Sequence, residues 1–229
     1  MRNVICIFLL FCSFSVIAQH ADSTYKWLFG FGIMPGISSL YISPSDVQVD
    51  INKKAIFTTS VGFSANYKMS DKLFFTTGVL LDQRGFKSVI KSNQSSPFNT
   101  GVNNSYSIIR LHYISIPLLA NFVFMNKNKM RVSVGIGAMV SAPVFSYDKA
   151  VFNIQNNNAI KSSSFSTNSD FSRKLSYSPI VNINSIHRVN ENLLLSISPQ
   201  ASISYTPNAV FNYFHYWTAG LNFSVLKRF

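Results

Sequence analysis

Leu193, Leu195, Ile197, Pro199, Ala201, Ile203 and Tyr205 stand at every second position of this chain, and Ser196, Ser198, Gln200, Ser202 and Ser204 fill the places between. A period of two puts such sets on opposite faces of an extended strand. Trp217, Ala219, Leu221, Phe223 and Val225 repeat the pattern against Thr218, Gly220, Asn222 and Ser224, and Phe57 to Tyr67 does so against Thr58, Ser60, Gly62, Ser64 and Asn66. Weaker copies run over Trp27 to Ile37, Leu73 to Phe86, Ile114 to Phe124, Met130 to Val140 and Leu175 to Ile183. That predicts eight strands. Pro35, Pro117, Pro179 and Pro199 fall inside them, and because proline removes a ladder donor, bulges or strand ends are expected there.

The polar faces of these strands are Ser, Gly, Thr and Asn with few charges. Charged residues make up only 12% of the chain against 47% hydrophobic, which argues against an ordinary water-soluble domain. A soluble exported β-sandwich would show similar alternation, but would have to present this nearly uncharged face to water. Past the N-terminus no apolar run approaches the roughly 18 residues of a membrane helix, so a membrane can be crossed only by strands.

The N-terminus carries export information. Arg2 precedes an apolar run from Val4 to Cys12, and Val16-Ile17-Ala18 offers a signal peptidase site before Gln19. Residues 1–18 are therefore expected to be a signal peptide and residues 19–229 the mature domain. Both cysteines, Cys6 and Cys12, belong to the part removed, which excludes disulfide, thiol and cysteine-metal chemistry from the mature chain.

Connections alternate in length. Met69-Ser70-Asp71, Asn126 to Lys129 and Val189-Asn190-Glu191 are short, whereas Ser38 to Ala55, Lys87 to Ile109, Phe145 to Ser172 and the smaller Thr206 to Asn212 are long and polar. Short turns at one rim, long loops at the other and an even strand number describe a transmembrane antiparallel up-and-down β-barrel, with turns in the periplasm and loops outside the cell. Closure pairs every backbone group, as hydrocarbon demands. The segment Phe145 to Ser172 is expected either to extend its flanking strands as a hairpin beyond the membrane or to add two strands, making ten.

Three stretches carry a family resemblance: Tyr113-Ile114-Ser115-Ile116-Pro117-Leu118-Leu119, the glycine-rich Val134-Gly135-Ile136-Gly137-Ala138, and the terminal strand with Leu221, Phe223, Val225 and Phe229. Together they make the chain resemble the PorT-like outer-membrane β-barrel proteins of Gram-negative bacteria and, more remotely, the OmpX and OmpA-type barrels. In the first stretch Ser115 stands where the family commonly has an acidic residue. The resemblance implies residence in the outer membrane, assembly by the barrel-assembly machinery, and roles as varied as surface interaction or accessory work in secretion.

Asp82 and Arg84 share the polar parity of the third strand, roughly 24 Å above the turn at Asp71, and are expected inside the barrel as a salt-bridged plug or as an ion constriction. The four histidines, His20, His112, His187 and His215, have no metal-binding spacing. His112 and His215 approach the outer strand ends, where an enzyme would need an acid partner that the eight acids of the chain do not place; His215 fits an interfacial aromatic girdle. No catalytic, metal or cofactor site is predicted.

The formal net charge of +12 invites a nucleic-acid reading, which export and the scatter of the cations oppose. Lys53, Lys54, Lys87, Lys91, Arg110, Lys149, Lys161, Arg173 and Lys174 lie on or beside the long loops, where lipopolysaccharide phosphates are a natural partner alongside the membrane lipids. Lys68, Lys72, Lys127, Lys129, Arg131, Lys227 and Arg228 gather at the periplasmic rim. The expected function is non-enzymatic, structural or surface-interacting through the long loops, with a narrow pore for small hydrophilic solutes as the alternative.

Overall fold

The computed structural model describes residues 26–41, 52–91, 102–127, 129–154, 159–166, 175–208 and 212–228; the expected signal peptide, Phe229, Arg173 and Lys174 lie outside them. Ten strands follow in chain order: β1 Trp27–Tyr41, β2 Asn52–Lys54, β3 Ile56–Lys68, β4 Leu73–Lys91, β5 Val102–Lys127, β6 Met130–Ile154, β7 Ala159–Ser166, β8 Ser176–Arg188, β9 Leu193–Asn208 and β10 Asn212–Arg228. Eight of them, β1, β3, β4, β5, β6, β8, β9 and β10, pair antiparallel in sequence order, and β1 also pairs with β10. The sheet closes. Of the two remaining strands, β2 continues the line of β3 along the outer end of β4 after a one-residue break at Ala55, and β7 lies off the barrel, folded back on β6 as a hairpin. Of the two expectations for Phe145 to Ser172, the hairpin extension is the one realised.

Several strands run past the ends that alternation gives. β5 has 26 residues and β6 has 25, where about 10 tilted residues cross a bilayer. The stretch from Val102 to Ile109, expected in a polar loop, is strand paired to β4 and β6. Likewise β9 and β10 pair as far as Asn208 and Asn212, so both ends of the expected loop from Thr206 to Asn212 are strand, and residues 209–211 lie outside the described residues. Above the membrane no lipid demands an apolar outer face. Alternation fades there while the backbone ladder continues.

Inside the membrane the two faces are inverted relative to a soluble barrel. Phe31, Phe63, Leu118 and Ile136 are each more than half exposed on the outer wall, while Arg84, Ser115, Ser141 and Ser176 are fully buried in the lumen. On β6 the lumen face passes through Gly135 and Gly137. A Cβ on Gly137 would strike the Leu118 carbonyl, and one on Gly135 the amide oxygens of Asn121 and Asn182, so the small residues allow walls and side chains to approach.

The prolines neither end strands nor make bulges. Pro35, Pro117, Pro179 and Pro199 stay in register with one neighbour, opposite Thr59, Met139, Ala138 and Leu221, respectively. The ladder on the other side skips each proline and resumes in register, as between Ile33↔Phe223 and Gly36↔Gly220 around Pro35. Losing one donor interrupts one seam locally without shifting it.

Rows of aromatic side chains bound the apolar wall. Tyr41, His215, Tyr205 and Tyr177 are directly paired across β1, β10, β9 and β8 at the outer end. Trp27 pairs with Tyr67, ring centroids 4.8 Å apart, and Tyr67 pairs with Phe75 at the periplasmic end. From Trp27 to Tyr41 the chain rises by ~35 Å, at about 3.3 Å per residue and a tilt of about 40°. That matches a bilayer core with its interfaces.

Candidate functional site

Five strands aim polar side chains at one level of the lumen. Arg84 and Asp82 follow the inward parity of β4, Ser60 comes from β3, Ser115 from β5, Ser141 from β6 and Ser176 from β8. The register makes this possible, since Ser115 lies opposite Ser141 and Ser141 opposite Ser176. Just above, the β5–β6 ladder shifts between His112 and Tyr113, leaving Val144 as the extra residue on β6. This bulge reverses the parity of β6, turning Ser146 inward and Phe145 outward.

Arg84 is fully buried, and its hydrogen-bonding atoms are taken up. Its Nε donates to Asp82 Oδ2 at 2.7 Å, Nη1 to Ser176 Oγ at 3.1 Å and Nη2 to Ser141 Oγ at 2.6 Å. Asp82 Oδ1 accepts from Ser60 Oγ at 2.6 Å, and Ser115 Oγ donates to Ser141 Oγ at 2.8 Å. The Tyr113 ring lies 4.6 Å from the guanidinium carbon, adding a cation–π contact. A buried ion pair is tolerated when its remaining donors and acceptors are satisfied, and this one is satisfied by hydroxyls from three other strands. The expected plug is therefore what these residues form.

Apolar layers lie on both sides of it. Leu40, Phe86, Leu111, Tyr113 and Tyr216 pack together above, toward the outer end. Phe74, Ile186, Leu194 and Leu226 pack below, toward the periplasm. Between them further pairs bridge the wall, among them Ser178 with Ser204 at 2.8 Å and Asn121 Nδ2 donating to Thr76 Oγ1 at 2.9 Å. The lumen is a filled core in polar and apolar storeys, as eight strands allow.

His20 lies outside the described residues, and neither His112 nor His215 is among the hydrogen-bond partners of Arg84 and Asp82. His112 faces outward, half-buried, stacked on Phe145 with centroids 4.1 Å apart and with Nε2 3.3 Å from Gln83 Nε2. His215 meets the edge of Tyr205 at 4.9 Å, within the outer aromatic row, as expected. The sequence does not disclose Tyr113, Ser141 and Ser176 as partners of Arg84, because their meeting depends on cross-strand register. Their inward parity was the available signal. Outside the membrane, Lys87 Nζ sits 4.1 Å from the centroid of the Tyr106 ring, and partial burial draws the Lys53 amine below its ordinary value.

No curated protein matches the chain. Among solved structures it is similar to Neisserial surface protein A, with 16% identity, TM-score 0.46 and coverage of 89% of this chain and 96% of that one. It is also similar to Ail, the attachment invasion locus protein of Yersinia pestis, at 10% identity and TM-score 0.36, covering 88% of this chain and 99% of that one. A third is the Escherichia coli outer membrane protease OmpT, at 6% identity and TM-score 0.40, covering 92% of this chain and 99% of that one. The family model for the outer membrane protein beta-barrel domain matches residues 18–205. With a closed eight-stranded barrel whose apolar wall faces outward, the chain belongs to the outer membrane protein beta-barrel domain family.

Proposed function

We propose that this protein is a closed, non-enzymatic outer-membrane barrel that acts as a structural and surface-interaction protein through the sheet it raises above the membrane. The observation that carries this is the Arg84 plug, a network that engages every guanidinium nitrogen, with apolar layers above and below it. Such a lumen offers solutes no continuous polar path. The material invested outside is large, since β5, β6 and β7 extend the sheet well beyond the crossing length.

Lys53, Lys87, Arg110 and Lys149 on β2, β4, β5 and β6 support contact between this extension and lipopolysaccharide phosphates. The alternating apolar face of β10 supports delivery by the barrel-assembly machinery. The PorT-like strand around Tyr113 supports a finer reading, accessory work in secretion, which predicts a secretion defect on deletion of the gene.

The test has two parts. Purified protein in a planar bilayer is expected to give no unit conductance steps; steady steps from the unaltered protein would contradict the closed lumen. Replacing residues 148–166 by a short turn is expected to leave heat-modifiable electrophoretic mobility intact while reducing adhesion of whole cells to protein-coated surfaces. Unchanged adhesion would remove the interaction role from this arm.

A further inference from the structure

The periplasmic mouth of the barrel is a cup of about 200 Å³. Six cations line it: Lys68 from β3, Lys127 from β5, Lys129 from the turn, Arg131 from β6, Arg188 from β8 and Arg228 from β10. The described lining contains no acid. Leu28, Phe74, Ile186 and Leu194 close the bottom, so the cup is a dead end.

Solvation of a rim explains cations that point away from one another into water. It does not explain cations brought to one concavity from five strands. Strand parity directs Lys68, Arg131, Arg188 and Arg228 inward, each on the same face as the buried residue two positions nearer the membrane: Asn66, Ser133, Ile186 and Leu226, respectively. Arg131 is close enough to Arg228 for their like charges to oppose each other. Asp71, just outside the lining, attracts both Lys68 and Arg131. Asp71 accepts Lys68 Nζ at 2.5 Å, and that ammonium holds the Asp71 carboxyl below its usual range. Arg188 Nε and Arg228 Nη1 donate to the turn carbonyls of Asn190 and Glu191, both at 3.3 Å, which positions two guanidiniums beside the cup.

A cleft of one sign over low-dielectric walls focuses field and concentrates counter-ions. Guanidinium groups suit phosphate oxygens, which they bind in bidentate fashion. We propose that the periplasmic cup is a binding site for a multivalent phosphate-bearing anion, held by Lys68, Lys127, Lys129, Arg131, Arg188 and Arg228. Its source is either a soluble phosphate compound of the periplasm or an anionic lipid headgroup folded over the rim, and the two share this chemistry.

Titration calorimetry of the full mature chain in zwitterionic nanodiscs, with inorganic tripolyphosphate as the probe, tests it. Saturable binding that weakens with added salt is expected, with a loss of at least tenfold on Arg131→Gln. Lys72→Gln, on the same rim but outside the lining, is expected to leave binding unchanged. Should Arg131→Gln fail to fold by heat-modifiable mobility, the exposed pair Lys127→Gln/Lys129→Gln carries the test, with a several-fold loss expected. No binding, or binding equally strong in the cup variants, overturns the site. Nanodiscs containing phosphatidylglycerol then separate the sources: competition with tripolyphosphate assigns the site to a headgroup, and undiminished binding assigns it to a soluble anion.

Discussion

Arg84 shows what a single side chain does in this barrel. Its charge is buried at the level of the hydrocarbon, and it is stable there because Asp82, Ser141 and Ser176 accept hydrogen bonds from its N–H groups. Removing it strands the Asp82 carboxylate with Ser60 alone. Arg84→Ala is therefore expected to destabilise the barrel by about 3–5 kcal/mol in denaturant titrations. The double variant Asp82→Ala/Arg84→Ala should cost clearly less than the two single losses added, because each single change leaves the other charge unpaired. Strict additivity would show that the two groups do not act as a pair. Parity alone discloses that Asp82 and Arg84 face inward; which hydroxyls meet them is hidden, because it depends on the stagger between strands. His215 was legible for the opposite reason, as its aromatic neighbours are set by face and height.

At the scale of elements, each seam reflects its prolines. β9 pairs with β10 at 16 consecutive positions, but with β8 at only eight, with gaps at Pro179 and Pro199. Both gaps are in the same seam, and both prolines face the lipid, where no water replaces a missing partner. Amides of β9 directed to β8 are thus expected to exchange with deuterium before those directed to β10; equal or reversed order, measured by NMR, would contradict the weakened seam. Strand existence was readable from alternation in all eight barrel strands. Strand length was not, since beyond the bilayer from Val102 to Ile109 and from Phe145 to Ile154 the polar and apolar faces no longer differ. The proline expectation failed because one absent donor affects only the neighbour it would have bonded, while the other side of the strand keeps the register.

The molecule as a whole is an inverted core. Its greasy surface points outward between Trp27 and Tyr41, and its interior is layered into an apolar floor, a polar middle bound by Arg84, and an apolar ceiling around Tyr113 and Tyr216. Short turns gather cations at the periplasmic mouth, and long sheet extensions rise at the other end. All of this depends on closure between the first and last strands, where Ile33 lies opposite Phe223 on the lipid face. Residues 19–229 contain no cysteine, so Ile33→Cys/Phe223→Cys gives a clean pair for cross-linking of the folded protein by oxidation or a short bismaleimide. Near-complete intramolecular cross-linking is predicted, with none for Ile33→Cys/Ile203→Cys, whose second position lies one strand further away on β9. Free thiols in the first pair, or equal cross-linking in both, would show that the barrel is not closed at this seam.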